Sequence, residues 1–85
     1  MLYPNVISVK ATDDYKLLLS YDNAENRIFD ATFILDCGRF SELKKIQTFK
    51  KVHVAFDSIE WDNGLDLDPE YLYKNSKPVA AELVI

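Results

Sequence analysis

Apolar and polar residues alternate along the first third of the chain. In residues 6–11, Ile7, Val9 and Ala11 are separated by Ser8 and Lys10, the period of two expected of a strand with one buried face. Residues 15–21 repeat the pattern, with Tyr15, Leu17, Leu19 and Tyr21 on one face. Leu18 on the opposite face predicts a central strand. Residues 27–33 read as a third strand. The turn clusters Thr12-Asp13-Asp14 and 22–26 are short, so an antiparallel meander is the economical topology.

The pattern changes at Cys37-Gly38-Arg39-Phe40-Ser41. Gly38 permits a sharp change of direction. Ser41 is placed to cap a helix whose apolar positions are Phe40, Leu43 and Ile46. Lys50 would fall in that apolar stripe, so the helix is expected to end near Gln47, with Phe49 buried by a separate turn. Residues 52–56 alternate as a fourth strand with Val52, Val54 and Phe56 inward. Asp57 begins a turn, and residues 58–61 return as a fifth strand. Asp62-Asn63-Gly64 is a turn signal. Asp68-Pro69-Glu70 then announces a second helix, with Asp68 as N-cap, Pro69 at the first helical position and Glu70 at the positive end of the dipole. Leu72 and Tyr73 are its anchors and Asn75 its stop. Lys77-Pro78 interrupts the pattern, and residues 79–85 are apolar apart from Glu82.

These elements predict an α+β fold: an antiparallel meander sheet of about five strands packed with one or two short helices. Residues 1–75 are expected to form a single domain. Residues 76–85 form either a C-terminal strand of that fold or an interaction tail. In the second case, strand addition through the tail would give a homodimer.

Composition narrows the classes. The chain has 85 residues, 48% hydrophobic and 28% charged, with two Gly and three Pro. That is ordinary globular usage and room for one domain. No apolar run exceeds three residues, which predicts no membrane span and no secretory leader. The single cysteine forms no intrachain disulfide and points to a cytoplasmic protein. Net charge is −4, unevenly spread. Residues 57–70 hold Asp57, Glu60, Asp62, Asp66, Asp68 and Glu70 and no base, whereas 39–51 hold Arg39, Lys44, Lys45, Lys50 and Lys51 against Glu42 alone. Such a domain lacks the dominant basic surface that nucleic acid requires, and its charge suits a protein partner.

Individual motifs add little chemistry. The run Asp62, Asp66, Asp68, Glu70 lacks the ligand spacing of a calcium loop, and capping and turn formation account for it. Cys37 and His53 are the only nucleophile–base pair and nothing in the sequence brings them together. Ser41 lacks flanking glycines for a nucleophile elbow, and two glycines cannot build a phosphate loop. No catalytic, metal or cofactor residues are therefore expected.

Trp61-Asp62-Asn63-Gly64, Asp66-Leu67, Pro69-Glu70 and Leu72-Tyr73, taken in order, resemble the C-terminal signature of the bacterial domain-of-unknown-function 2442 family. The resemblance extends upstream through Asp14-Tyr15-Lys16-Leu17, Tyr21-Asp22-Asn23 and Phe29-Asp30, and covers about residues 5–74. Two positions depart from it. Ala24 stands where the family has Gly, which predicts a connection longer than a two-residue primed turn. Asp62 replaces a usual Pro. The resemblance implies a small α+β fold with a meander sheet. Some relatives continue into a helix-turn-helix domain, for which this length leaves no room. Others resemble antitoxins of two-gene operons. It carries no catalytic residues. Trp61, Gly64, Asp68, Pro69, Leu72 and Tyr73 have structural explanations as anchor, turn, helix start and helix dock.

The expected function is a non-enzymatic protein-interaction module, antitoxin-like, whose partner is a small protein encoded next to it. Glu60, Asp62, Asp66, Val79 and Leu83 are the candidate contact residues. A nucleic-acid-associated regulator using Arg39, Lys44, Lys45 and Lys51 is the first alternative. A small-molecule sensor with a pocket near His53, Trp61 and Tyr73 is the second.

Overall fold

A computed structural model describes residues 3–80. The fold is α+β, with seven strands in two antiparallel sheets. The first sheet has the order β1-β2-β3-β7, formed by Val6–Ala11, Lys16–Tyr21, Asn26–Asp30 and Lys77–Pro78. The second has the order β4-β5-β6, formed by Val52–Ala55, Ser58–Trp61 and Asp66–Leu67. A single meander of five strands is therefore not formed. Each sheet has one apolar face, and both faces are buried by meeting in one core. Leu17, Leu19 and Phe29 come to that core from the first sheet, and Ile59 and Trp61 from the second.

β2 is central, as the outward Leu18 predicts, with β1 and β3 on either side. The alternation of β1 is broken by a register shift between Val6 and Ser8. The extra residue turns Val6 into the core and leaves Ile7 62% exposed, so Ile7 does not share the face of Val9 and Ala11. The third strand stops at Asp30 rather than Phe33. The Asp30 carboxylate accepts the Thr32 backbone N–H at 3.0 Å and opens a 3-10 turn over Ala31–Ile34.

The helix expected after Ser41 is a 3-10 helix over Gly38–Lys44, with no side-chain cap and Ser41 inside it. Phe40, Leu43 and Ile46 recur every third residue, which fits three residues per turn better than 3.6. Lys45 is extended, and a one-turn helix, α1 (Ile46–Phe49), buries Phe49 separately. The Trp61 indole N–H donates to the Phe49 carbonyl at 2.8 Å and ties α1 to β5. α2 spans Pro69–Asn75 with Asp68 as N-cap, its carboxylate accepting the Tyr71 N–H at 3.1 Å. Leu72 is fully buried. β7 follows at once, pairing Lys77 with Ile28 and Pro78 with Arg27, and the Val79 N–H donates to the Asn26 carbonyl. Leu83 and the rest of residues 81–85 lie outside the described residues.

Arg27 has no counterpart in the sequence reading. It shares the inward face of Phe29 and is only 9% exposed. Its guanidinium donates to the Ser76 hydroxyl at 2.6 Å and carbonyl at 2.8 Å, and to the Tyr73 carbonyl at 3.3 Å. It pairs with Glu25 at 3.3 Å and lies 4.2 Å from the Tyr73 ring centre. The Tyr73 hydroxyl donates to Glu25, and with Asn23 and Arg27 it holds that carboxyl below the usual range. Beside them, burial pushes the Tyr21 phenol up to about 12.

Three loops share one geometry. The backbone N–H of Thr12, Tyr21 and Trp61 donates to the carbonyl four residues on, at 2.8–2.9 Å. The residue before that acceptor is left-handed in each: Tyr15 (φ 66), Ala24 (φ 73) and Gly64 (φ 90). Tyr21-Asp22-Asn23-Ala24 and Trp61-Asp62-Asn63-Gly64 are thus two versions of one three-residue hairpin turn. The Asn side chain accepts the next-but-one N–H at 3.1 Å in both. Ala24 gives the longer connection expected of it, in strained form. Ala24→Gly should raise unfolding stability by about 0.5–1 kcal/mol, the relieved strain less the added freedom of the unfolded chain. Nothing crowds the Cβ position at Gly64, so Gly64→Ala should cost about 1 kcal/mol through the backbone alone. Urea unfolding of both variants checks the pair.

Candidate interaction surface

The outward face of the second sheet is charged in a single row. His53 on β4 is registered with Glu60 on β5, and Glu60 with Asp66 on β6. His53 Nε2 lies 3.2 Å from Glu60 Oε1, and Nδ1 lies 3.4 Å from Asp62 Oδ1. The imidazole is therefore held between two carboxylates, one on the strand and one on the loop. That loop is fixed from outside: the Asn63 amide donates to Glu42 at 2.9 Å, and Arg39 donates to the Asn63 carbonyl at 3.1 Å.

At the other end of the row the β4–β5 hairpin closes through Phe56 and Asp57. Both residues have positive φ, 51° and 68°, as a primed two-residue turn demands. Phe56 was expected inward by alternation. It is 88% exposed instead, because the turn interrupts the period of two at that residue. Val54, also expected inward, is exposed at 38% and stands outside the core cluster. Asp57 anchors the tip by accepting the Val6 N–H through its carbonyl at 3.2 Å. A groove of about 270 Å³ beside the hairpin tip and the start of α2 is lined by Glu60, Asp66 and Asp68 together with apolar residues that include Phe56 and Pro69.

The candidate contact residues separate accordingly. Glu60, Asp62 and Asp66 converge on this face. Val79 lies just past β7 of the other sheet, its N–H donating to the Asn26 carbonyl. Leu83 is outside the described residues. Trp61 and Leu72 are buried in the core, Gly64 makes the left-handed turn, Asp68 and Pro69 start α2, and Tyr73 packs on Tyr3 and Tyr21. His53, Trp61 and Tyr73 share no pocket with this groove. Cys37 lies near the Phe33 carbonyl, and no hydrogen bond joins it to His53 among the described residues. In the basic segment Arg39 pairs with Glu42, Lys44 with Asp36 and Lys50 with Asp13. Phe49 belongs to the core and Phe40 packs against it. Among the described residues no group of three His, Cys, Asp or Glu is arranged to hold a metal, and no helix is long and apolar enough to cross a membrane.

Residues 6–78, from the first residue of β1 to the last of β7, match the family described as Protein of unknown function (DUF2442). The chain belongs to the DUF2442 family. No curated protein and no solved structure matches it. Within the matched range, Trp61, Gly64, Asp68, Pro69, Leu72 and Tyr73 build the inner side of β5, the β5–β6 turn and α2. The face they support carries Glu60, Asp66 and Phe56. Phe56 was missed because a strand pattern ran through it; its signal is the adjacent Asp57, a residue that tolerates left-handed backbone.

A bulky side chain in left-handed backbone costs about 1–2 kcal/mol. Phe56→Gly should therefore stabilise the fold by about 0.5–1 kcal/mol, since little burial is lost and part of the relief is offset in the unfolded chain. A higher urea midpoint checks this.

Proposed function

We propose that this chain is a non-catalytic protein-interaction module of the cytoplasm, the antitoxin-like member of a two-gene pair, whose partner is a small basic protein. The observation that carries the reading is Phe56. A large aromatic ring is 88% exposed at the tip of a hairpin, in a backbone conformation that Asn or Gly would adopt at lower cost. Strain of this kind persists at positions over-determined by the surrounding structure and clusters where function requires it. Exposed aromatic rings are the usual anchors of protein interfaces.

The charge beside it supports the partner's sign. Glu60 and Asp62 flank a single His53, and Asp66 stands opposite Glu60 on the neighbouring strand, a field that speeds encounter with a basic surface and disfavours an acidic one. Both ring nitrogens of His53 face carboxylates, which favours a charged binding face over a nucleophile–base pair.

Coexpression with the product of the adjacent gene tests the reading. The two proteins should copurify, and Phe56→Gly should weaken the complex at least tenfold while leaving the module folded. Absence of copurification, or an unaltered complex with Phe56→Gly, overturns it.

A further inference from the structure

The groove between the hairpin tip and α2 has a lining more specific than general acidity. It holds three carboxylates, of Glu60, Asp66 and Asp68, and no cationic side chain. Their hydrogen-bonding capacity is only partly used. Glu60 meets His53 through Oε1, and Asp68 accepts the Tyr71 N–H through Oδ2. The opposite oxygens of both, and the carboxylate of Asp66, have no hydrogen-bond partner among the described residues. Apolar residues complete the lining, among them the exposed Phe56 at the hairpin tip and Pro69 at the start of α2.

We propose that this groove receives one arginine or lysine side chain of the partner, its stem against the apolar lining that includes Phe56 and Pro69, its cationic head at Glu60, Asp66 and Asp68. The inference rests on the interaction reading above and adds what enters the site. Only a side chain that is apolar along its length and cationic at its end satisfies both linings. A leucine would cover the walls and desolvate three carboxylates without compensation. An acidic residue would be repelled. The Phe56 face gives the cation a second attraction through its ring quadrupole, which accounts for an aromatic rather than an aliphatic residue at the strained position. The groove, about 270 Å³, has room for one such side chain and lies open to solvent.

The test uses the full chain, labelled with nitrogen-15, and the capped peptide acetyl-Gly-Arg-Gly-amide, with acetyl-Gly-norleucine-Gly-amide as control. The arginine peptide should shift amides in residues 55–60 and 66–69 and leave the first sheet unmoved. The shifts should shrink as salt is raised and vanish in the double variant Glu60→Gln/Asp66→Asn, whose exposed side chains can change without unfolding the domain. In the complex with the adjacent gene product, the same variant should bind about tenfold more weakly, roughly 1.4 kcal/mol. Equal shifts from the norleucine peptide, or undiminished shifts in the double variant, overturn the inference. If the neighbour copurifies through Phe56 while the arginine peptide leaves the groove unshifted, the groove chemistry fails and the interaction reading stands. If the peptide binds as described and the neighbour does not copurify, the interaction reading fails and the groove chemistry stands.

Discussion

The fold turns on a buried guanidinium. Arg27 enters the core from β3 and is satisfied by groups brought to it from the other end of the chain: the Ser76 hydroxyl and carbonyl, the Tyr73 carbonyl and the Tyr73 ring. A buried charge is costly unless it is fully paired, so the end of α2 must stay against β3. β7 begins at the next residue and completes the first sheet on that side. α2 also carries Asp68 and Pro69 at its start, which line the groove together with Phe56. The guanidinium thus holds in place both the closing strand and the end of the helix whose start lines the groove.

The second constraint is economy of turns. Two hairpins use the same aromatic-Asp-Asn start and the same left-handed fourth position, once with Ala24 and once with Gly64. A third loop places Tyr15 there, and its ring packs on Phe49 at 5.1 Å. At Tyr15 the strain is offset by burial. At Phe56, 88% exposed, no comparable burial offsets it.

What could be read in advance followed the range of the forces. α2 was legible in full, because Asp68, Pro69 and Leu72 act within one turn of one another. The central place of β2 was legible from Leu18. The bulge at Ile7 was not, since it depends on which residue of β2 faces Val6. The 3-10 helix was readable as a spacing of three at Phe40, Leu43 and Ile46 but takes its form from Gly38 and from contacts to β5. The split into two sheets buries Ile59 and Trp61 in the same core as Leu17 and Phe29, an arrangement no local pattern specifies. Of the candidate contacts, Glu60, Asp62 and Asp66 were legible as charge. Phe56 was hidden by alternation that continued through a turn. Arg27 was hidden because a charged residue at a strand start reads as surface; its two-residue spacing from Phe29 was the one sign.

The most direct measurement is the unfolding free energy of Arg27→Lys in urea. Lysine keeps the charge but has no planar fork to reach Ser76 and Tyr73 together while stacking on the ring. A loss of about 2 kcal/mol or more is expected, because a buried charge is left partly unpaired. An unchanged midpoint and slope would mean that charge alone suffices, and would contradict the claim that the guanidinium's geometry holds α2 and β7 in place.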